Sequence, residues 1–80
     1  MATGAHILIE TTVGKLGDVA RELKGTPGEE ESFDLVTGPY DIIAVATAVD
    51  LNAVGDLVTD EIHAIDGTFR TVTCLSVGGT

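Results

Sequence analysis

The residues best suited to binding a small molecule lie in one short polar segment, Thr37-Gly38-Pro39-Tyr40-Asp41. Residues 33–36 before it and 42–45 after it are mainly apolar and typical of adjacent strands. Proline lacks an amide donor and fixes φ, so the chain must reverse at the Gly-Pro pair, which leaves backbone groups free for a ligand. The alternative is a plain hairpin turn in which the tyrosine is only a half-buried ring.

Residue types that perform catalysis or bind metals are few and poorly spaced. His6 and His63 are the only imidazoles, they fall in different predicted elements, and no H-x-x-x-H or C-x-x-C spacing occurs. No Ser/His/Asp order, glycine-rich phosphate loop or spaced carboxylate pair stands above chance. We therefore expect no catalytic residue, no metal and no cofactor, and we expect both histidines at an edge or an interface.

The charge balance argues against contact with nucleic acid. The chain has 13 acidic and 4 basic residues, a formal net charge of -9, and a surface of that sign repels phosphate backbones. Most of the basic residues share one predicted helix with acidic side chains, so they form no basic patch. No apolar run approaches the ~20 residues of a membrane span. We expect neither a nucleic-acid nor a membrane partner.

The length predicts one domain over residues 1–80 with a marginal core of its own. A chain this short buries only ~60% of the surface that its unfolded form exposes, and association with copies of itself is one remedy. The single cysteine, Cys74, excludes an internal disulfide and suits a reducing compartment. It lies in an apolar alternating run, where we expect it to pack as a small hydrophobe. The first residues do not have the pattern of an export signal, so we expect a cytoplasmic protein.

Hydrophobic periodicity predicts six elements in the order strand, helix, strand, strand, helix, strand. The first strand covers residues 5–11 and the last 69–77, while 25–31 and 78–80 are predicted as a surface connection and a loose tail. Each helix has an apolar stripe, and Asp50 is the predicted N-cap of the second. The stripes are Val13, Leu16, Val19, Ala20 and Leu23 in the first helix, and Leu51, Val54, Val58, Ile62 and Ile65 in the second. This order predicts an α+β, ferredoxin-like βαββαβ fold, with a four-stranded antiparallel sheet and both helices on one face.

Alternation along the predicted strands makes both faces of the sheet apolar. In the third strand Ile43 and Val45 point to one face, while Ile42 and Ala44 point to the other. Two helices can cover only one face, and a soluble monomer would rarely leave the second in water. The pattern therefore predicts a homodimer that buries this second face.

Several segments together resemble the ligand-binding domain of the Lrp/AsnC regulators, the RAM (regulation of amino acid metabolism) domain. The two most specific are residues 37–41, Thr-Gly-Pro-Tyr-Asp followed by aliphatic residues, and residues 62–68, Ile-His-Ala-Ile-Asp-Gly-Thr, before the last strand. The weaker matches are residues 5–9, 13–15, 19–23 and 71–73. The resemblance covers nearly the whole chain.

The resemblance implies an αβ-sandwich in which dimers form sheet against sheet and assemble further into rings, often octamers. The effector of the family, usually a free amino acid, binds in a cleft between dimers. The ligand-binding residues implied here are Thr37, Gly38, Pro39, Tyr40 and Asp41, with Thr71 and Thr73 on the last strand as weaker candidates. The backbone of 38–41 would donate to the ligand carboxylate, Asp41 or a neighbouring acceptor would accept from the ammonium group, and Tyr40 would form a wall of the pocket.

The chain departs from the regulators because it begins at the ligand-binding strand, without their N-terminal helix-turn-helix. It therefore resembles the stand-alone version of the domain, which the family also includes. The resemblance implies an amino-acid-sensing module, not an enzyme, that modulates transcription without binding DNA itself. The acidity of the chain suits a protein that acts by assembling with a full-length regulator of the family.

Two other functions fit the same topology. One is a small dimeric α+β barrel enzyme of the oxygenase or isomerase type with His6 or His63 as acid or base, which would need a titratable group in an apolar pocket. The other is an ACT-like regulatory domain, which pairs its sheets edge to edge. The apolar second face argues against edge pairing.

Overall fold

The computed structural model of the chain describes residues 3–25 and 30–77 and confirms the predicted order of elements. The predicted tail, 78–80, and residues 26–29 of the predicted connection lie outside the described residues. The elements are β1 Thr3–Thr11, α1 Leu16–Gly25, β2 Glu30–Leu35, β3 Ile42–Ala48, α2 Leu51–Asp56, a π-helix Leu57–Ile62, and β4 Thr68–Leu75.

The four strands form one antiparallel sheet in the order β2-β3-β1-β4, which confirms the predicted ferredoxin-like α+β fold. β1 lies in the interior of the sheet, so that Ile7 is opposite Ala44 of β3 on one side and Thr73 of β4 on the other. The register of β1 with β4 shifts between Glu10 and Thr11. Because β1 has a neighbour on each side, its side chains contribute to the centre of both faces of the sheet.

The core lies between the sheet and the helices. Alternate residues of β1 and β3 are buried on the helix side, and their neighbours in sequence point to the opposite side. α1 contributes Val19 and Leu23, which share one face because residues four apart are neighbours on a helix. The buried residues of this core are Ile7, Ile9, Val19, Leu23, Ile42, Ala44, Ala46, Leu57, Ile62 and Ile65.

The first helix begins after Gly14, as the sequence predicts, so Val13 of the predicted apolar stripe lies outside it. Val13 is 98% exposed, so its assignment to the stripe is wrong. The chain makes a turn here, in which the Lys15 amide donates to the Thr12 carbonyl over 2.9 Å. Gly14 has a φ of +84°, a left-handed conformation that ends regular helix or strand and favours glycine. The helix can therefore start only after this turn, at Leu16.

The second helical segment is not a single α-helix. Asp50 caps it as predicted, because its carboxylate accepts a hydrogen bond of 2.8 Å from the Ala53 amide. From Leu57 the chain continues as a π-helix, and at its end the His63 amide donates to the Val58 carbonyl, five residues earlier. The sequence-based prediction assumed one α-helical period throughout.

The change of helix type decides which side chains face the core. Hydrogen bonds between residues five apart widen the turn, so that Leu57 and Ile62 lie on the same side of the helix and both are buried. In an α-helix, residues five apart would point in different directions. Leu51 is 58% exposed. The predicted stripe is therefore wrong at Leu51 and omits Leu57, whereas Val54, Ile62 and Ile65 are buried as predicted.

The face of the sheet turned away from the helices, here called the open face, is apolar at its centre. Leu8, Ile43 and Val45 are half-buried there, and Val72 is 37% exposed. Since the opposite face contains the core, the sheet has two apolar faces, as predicted. The homodimer inferred from this pattern stays a prediction.

β4 is the outermost strand beside β1, and most of its side chains are exposed. It ends at Leu75, and Val77, which was predicted to belong to the strand, is 93% exposed beyond it. Cys74 is also exposed. The prediction that Cys74 packs as a small hydrophobe is therefore wrong for a single copy, because no described element covers this edge of the open face.

Gly67 is the glycine whose replacement the fold should tolerate least. Its φ is +103°, and an added Cβ would lie 2.8 Å from the Lys15 Cβ and 3.0 Å from the Val19 Cγ2. We expect Gly67→Ala to lower the free energy of unfolding by more than about 1 kcal/mol, because the strained backbone and the close contacts add.

Gly17→Ala is the matched control for this prediction, because Gly17 lies in α1 and an added Cβ would have no atom within 4 Å. It should raise the free energy of unfolding by up to about 1 kcal/mol, the helix preference for alanine. Urea denaturation at one protein concentration measures both variants. Equal effects of the two substitutions would contradict the assignment of strain to Gly67.

Candidate ligand-binding site

The segment 37–41, here called the Gly-Pro loop, connects β2 to β3 and is attached to the end of β1. The Val36 amide donates to the Asp41 carbonyl over 2.8 Å, which closes the loop at its base. The Asp41 amide donates to the Ile9 carbonyl of β1 over 2.9 Å. Gly38 has a φ of +142°, which only glycine adopts readily, so the residue type matches the turn.

The Asp41 carboxylate fastens the loop to β1 through its side chain as well. Its Oδ2 accepts from the Thr11 amide over 2.8 Å and lies 3.2 Å from the Thr11 hydroxyl, which donates to the same oxygen. The other oxygen, Oδ1, has no hydrogen-bond partner among the described residues. One side of this carboxylate therefore holds the loop in place, and the other side can accept from a ligand.

Residues 38–41 of the loop offer two backbone hydrogen-bond donors that have no partner among the described residues. Pro39 has no amide hydrogen, and the amide of Asp41 is used by the Ile9 carbonyl. The amides of Gly38 and Tyr40 have no partner within the described part of the chain. The donor set expected from 38–41 is thus reduced to these two amides, which are two residues apart.

Tyr40 is held over the sheet by residues that sequence reasoning did not select. The Arg70 Cζ lies 5.9 Å from the centre of the Tyr40 ring, within the range of a cation–π contact. Arg70 Nη2 also lies 2.9 Å from Glu10 Oε1. This buried oxygen has no hydrogen bond of good geometry, so its contact with Arg70 is an ion pair without hydrogen-bond alignment. Glu10 and Arg70 are opposite each other on β1 and β4, a pairing that only the strand register reveals.

Thr71 and Thr73 lie on the other face of the sheet from this cluster. They are opposite Ile9 and Ile7, whose side chains point to the helices. Thr71 Oγ1 lies 2.8 Å from His63 Nε2, a hydrogen bond whose donor depends on the histidine tautomer. Within one subunit the structure therefore does not bring the two threonines to the Gly-Pro loop. A shared cleft would need residues from different subunits, and their role stays a prediction.

A concave region lies between α1 and the π-helix, and its lining contains no residue of the Gly-Pro loop. It is a groove of about 530 Å³ that is strongly acidic. Its lining residues are Asp18, Arg21, Glu22, Asp60, Glu61, Ala64, Ile65 and Asp66. Such a lining repels the carboxylate of an amino acid, and the described residues contain no converging group of three or more metal-ligating side chains. The Gly-Pro loop is the better candidate for a zwitterion.

The whole sequence was compared with known proteins. Residues 4–78 match the family described as the Lrp/AsnC ligand binding domain. The chain belongs to this family. Comparison with curated proteins finds no match.

Solved structures agree with the family assignment. TTHA0845 from Thermus thermophilus is 27% identical, with a TM-score of 0.88, and the match covers 98% of this chain and 96% of that one. AsnC of E. coli is 19% identical, with a TM-score of 0.88, and the match covers 96% of this chain and 52% of that one. The regulator NMB0573 of Neisseria meningitidis, solved as a complex with L-Met, is 20% identical, with a TM-score of 0.80, over 95% of this chain and 50% of that one. The latter two show the common fold.

The described helices are also too short or too polar to cross a membrane.

Removing the Asp41 side chain should loosen the loop. Asp41→Ala deletes the acceptor of both Thr11 donors, and we expect the free energy of unfolding to fall by about 1–2 kcal/mol, because the hydrogen bonds lost are partly buried and accept at a charged group. Asp41→Asn keeps an oxygen at the same place and should cost less than about 1 kcal/mol. Urea denaturation measures both. Asp34→Ala, which deletes an exposed carboxylate on β2, is the control. Equal stability of the two alanine variants would show that the contact between Asp41 and Thr11 does not hold the loop.

Proposed function

We propose that this chain is an effector-binding and oligomerising module that binds a free amino acid, or a similar small zwitterion, at the Gly-Pro loop. The observation that carries the proposal is the chemistry of that loop in a member of the Lrp/AsnC ligand-binding family. The amides of Gly38 and Tyr40, which have no partner among residues 3–25 and 30–77, lie in the same short loop as a carboxylate that Thr11 holds in place.

Each end of an amino acid has a suitable partner in this loop. The two amides can donate to the carboxylate of the ligand, and Asp41 Oδ1 can accept from its ammonium group, both of which are charge-assisted hydrogen bonds. The Tyr40 ring, held by Arg70, supplies an apolar wall. Thr37, Pro39 and Gly38 are exposed in a single subunit. Because such bonds are strong only where water is excluded, we infer that a second subunit closes the site.

The open face supplies the first contact between subunits. We infer a homodimer in which two open faces pack together, because their half-buried aliphatic residues would otherwise remain in contact with water. Further assembly into a ring of dimers, octamer-like as in the family, would place Gly-Pro loops at the boundaries between dimers. Thr71 and Thr73, which lie on the helix side of β4, would then reach the same cleft from another subunit.

The regulatory role follows from the family and the charge. The net charge of -9 disfavours direct contact with DNA. We infer that the module, acting in the cytoplasm, modulates transcription by assembling with a full-length regulator of the same family. The L-Met complex of NMB0573 supports an amino acid as the effector class.

A catalytic function has less support. Both histidines are exposed, so neither lies in an enclosed apolar cavity of the subunit where an acid or base would be tuned for an oxygenase or isomerase reaction. We therefore propose a binding module and not an enzyme.

Calorimetric titration with each of the twenty amino acids tests the binding proposal. We expect at least one to bind, and we expect Asp41→Asn to weaken that binding by more than about tenfold, or 1.4 kcal/mol, because it removes the negative charge but retains the contact with Thr11. Asp34→Asn, on an exposed side chain, should leave the affinity unchanged. If no amino acid binds while the assembly is intact, only a structural role remains.

Sedimentation velocity at micromolar concentration tests the dimer. Val45→Asp places a charge at the centre of the open face and should raise the dissociation constant of the dimer by more than about tenfold, because an unpaired carboxylate would be buried. Val13→Asp is the matched control, since Val13 is 98% exposed and lies outside the sheet. A wild-type protein that stays monomeric, or a dimer joined edge to edge through β4 as in an ACT-like pair, would contradict the proposal.

A further inference from the structure

Two metal-ligating side chains that are far apart in the sequence are neighbours on the open face. His6 of β1 and Cys74 of β4 are directly opposite each other in the antiparallel register. Both are exposed, and neither has a hydrogen-bond or ion-pair partner among the described residues. Sequence spacing could not reveal this pair, because the two residues lie on the first and last strands.

The pair has the reach to bind one metal ion. Directly opposite residues of antiparallel strands have Cβ atoms about 4.5–5.5 Å apart. Zinc lies about 2.0–2.1 Å from a histidine nitrogen and about 2.3 Å from a cysteine sulfur, so an imidazole and a thiolate at this separation can share one ion. A single copy offers only these two ligands, since its described residues contain no cluster of three. A tetrahedral site would need two more.

The pair lies where a second copy of the chain could supply the other two ligands. Val45 flanks His6 on the side away from Cys74, and Leu8 is the next residue of β1 on the same face, so the pair borders the apolar centre. In a two-fold contact the same patch is used on both copies. A contact centred here brings a second pair against the first, and packed sheets lie about 10 Å apart, so ligands from both can meet midway.

We propose that His6 and Cys74 form half of a thiolate–imidazole site for a divalent metal of the zinc class, which a second copy of the chain completes across the open face. The inference rests on the open-face dimer of the proposed function. Each of the two thiols releases its proton to solvent when it binds the metal. The product has two thiolates, two neutral imidazoles and one divalent cation, so it has no net charge.

Electrical neutrality makes the site compatible with its surroundings. A neutral metal centre can be enclosed by aliphatic side chains such as Leu8 and Val45 without the cost of a buried charge. The same dimer without metal would enclose an imidazole and a thiol that have no partner in the described part of their own subunit. Metal binding therefore supplies partners for two polar groups that association would otherwise leave unpaired.

Cobalt(II) is the probe, because it replaces zinc in tetrahedral sites and its absorption reports the ligands. The full chain, reduced and freed of metal by a chelator, is titrated with cobalt(II) alone. We expect one ion per two chains, visible-region bands of tetrahedral cobalt and a thiolate charge-transfer band in the near ultraviolet. Addition of zinc should abolish these bands. Sedimentation of the same samples, with and without chelator, reports whether the dimer is present.

Three variants test whether the cobalt(II) absorption bands come from binding to His6 and Cys74. Cys74→Ser should abolish the charge-transfer band, and His6→Ala should weaken binding by more than about tenfold, the loss that even outer-shell substitutions cause at metal sites. Both side chains are exposed, so both variants should fold, which circular dichroism checks. His63→Ala is the control, because His63 is the other histidine and bonds to Thr71 on the helix side; it should bind cobalt like the wild type.

The outcomes separate this inference from the proposed function. A dimer that shows no charge-transfer band, or a band that persists in Cys74→Ser, overturns the metal site and leaves the open-face dimer standing. A protein that is monomeric with and without cobalt overturns both. Tetrahedral cobalt at one ion per two chains, lost in both ligand variants and retained in His63→Ala, supports both.

Discussion

The structure is organised around the two apolar faces of β1, of which the helices bury one. On the helix side, Ile7 and Ile9 are completely buried beneath the helices. On the other side Leu8 lies among aliphatic neighbours that no described element covers. A domain of this size has little apolar surface to bury in total. Burial of the open face would therefore contribute a large fraction of the free energy of unfolding. Folding and association are thus expected to be linked, since a partner that binds only the folded chain stabilises it.

The candidate site is attached to the same strand. The Gly-Pro loop bonds to Ile9 through its backbone and to Thr11 through the Asp41 carboxylate. These bonds join the loop to the sheet, and a loop positioned by regular structure is the usual arrangement for binding loops. One end of β1 thus positions the loop, while the middle of the same strand forms both apolar faces. Glu10 of the same strand also pairs with Arg70, whose guanidinium lies against the Tyr40 ring of the loop.

Local patterns were sufficient for the order of elements and for much of the core. Strand alternation and helical spacing depend only on neighbouring residues, so Ile7, Val19 and Ile62 are buried as their spacing predicts. The errors occur where the local geometry departs from the assumed period. Val13 lies in a turn that contains a left-handed glycine. Leu51 is exposed in the first turn of α2, and the π-helix after Asp56 places Leu57 in the core. Neither a turn type nor a π-helix has a clear signature in apolar spacing.

The sequence by itself determined the elements, the acidity, the two-faced sheet, and the residues of the loop that resembles a family of ligand-binding domains. Only the tertiary structure decided which oxygen of Asp41 is already bonded and which amides of 38–41 have no partner among the described residues. It also decided that His6 is opposite Cys74. The physical reason is strand register. Contacts between β1 and β4 join the two ends of the chain. Alternation within each strand fixes the face on which a side chain lies, but a shift of two residues leaves that pattern unchanged, so it does not fix the partner on the other strand.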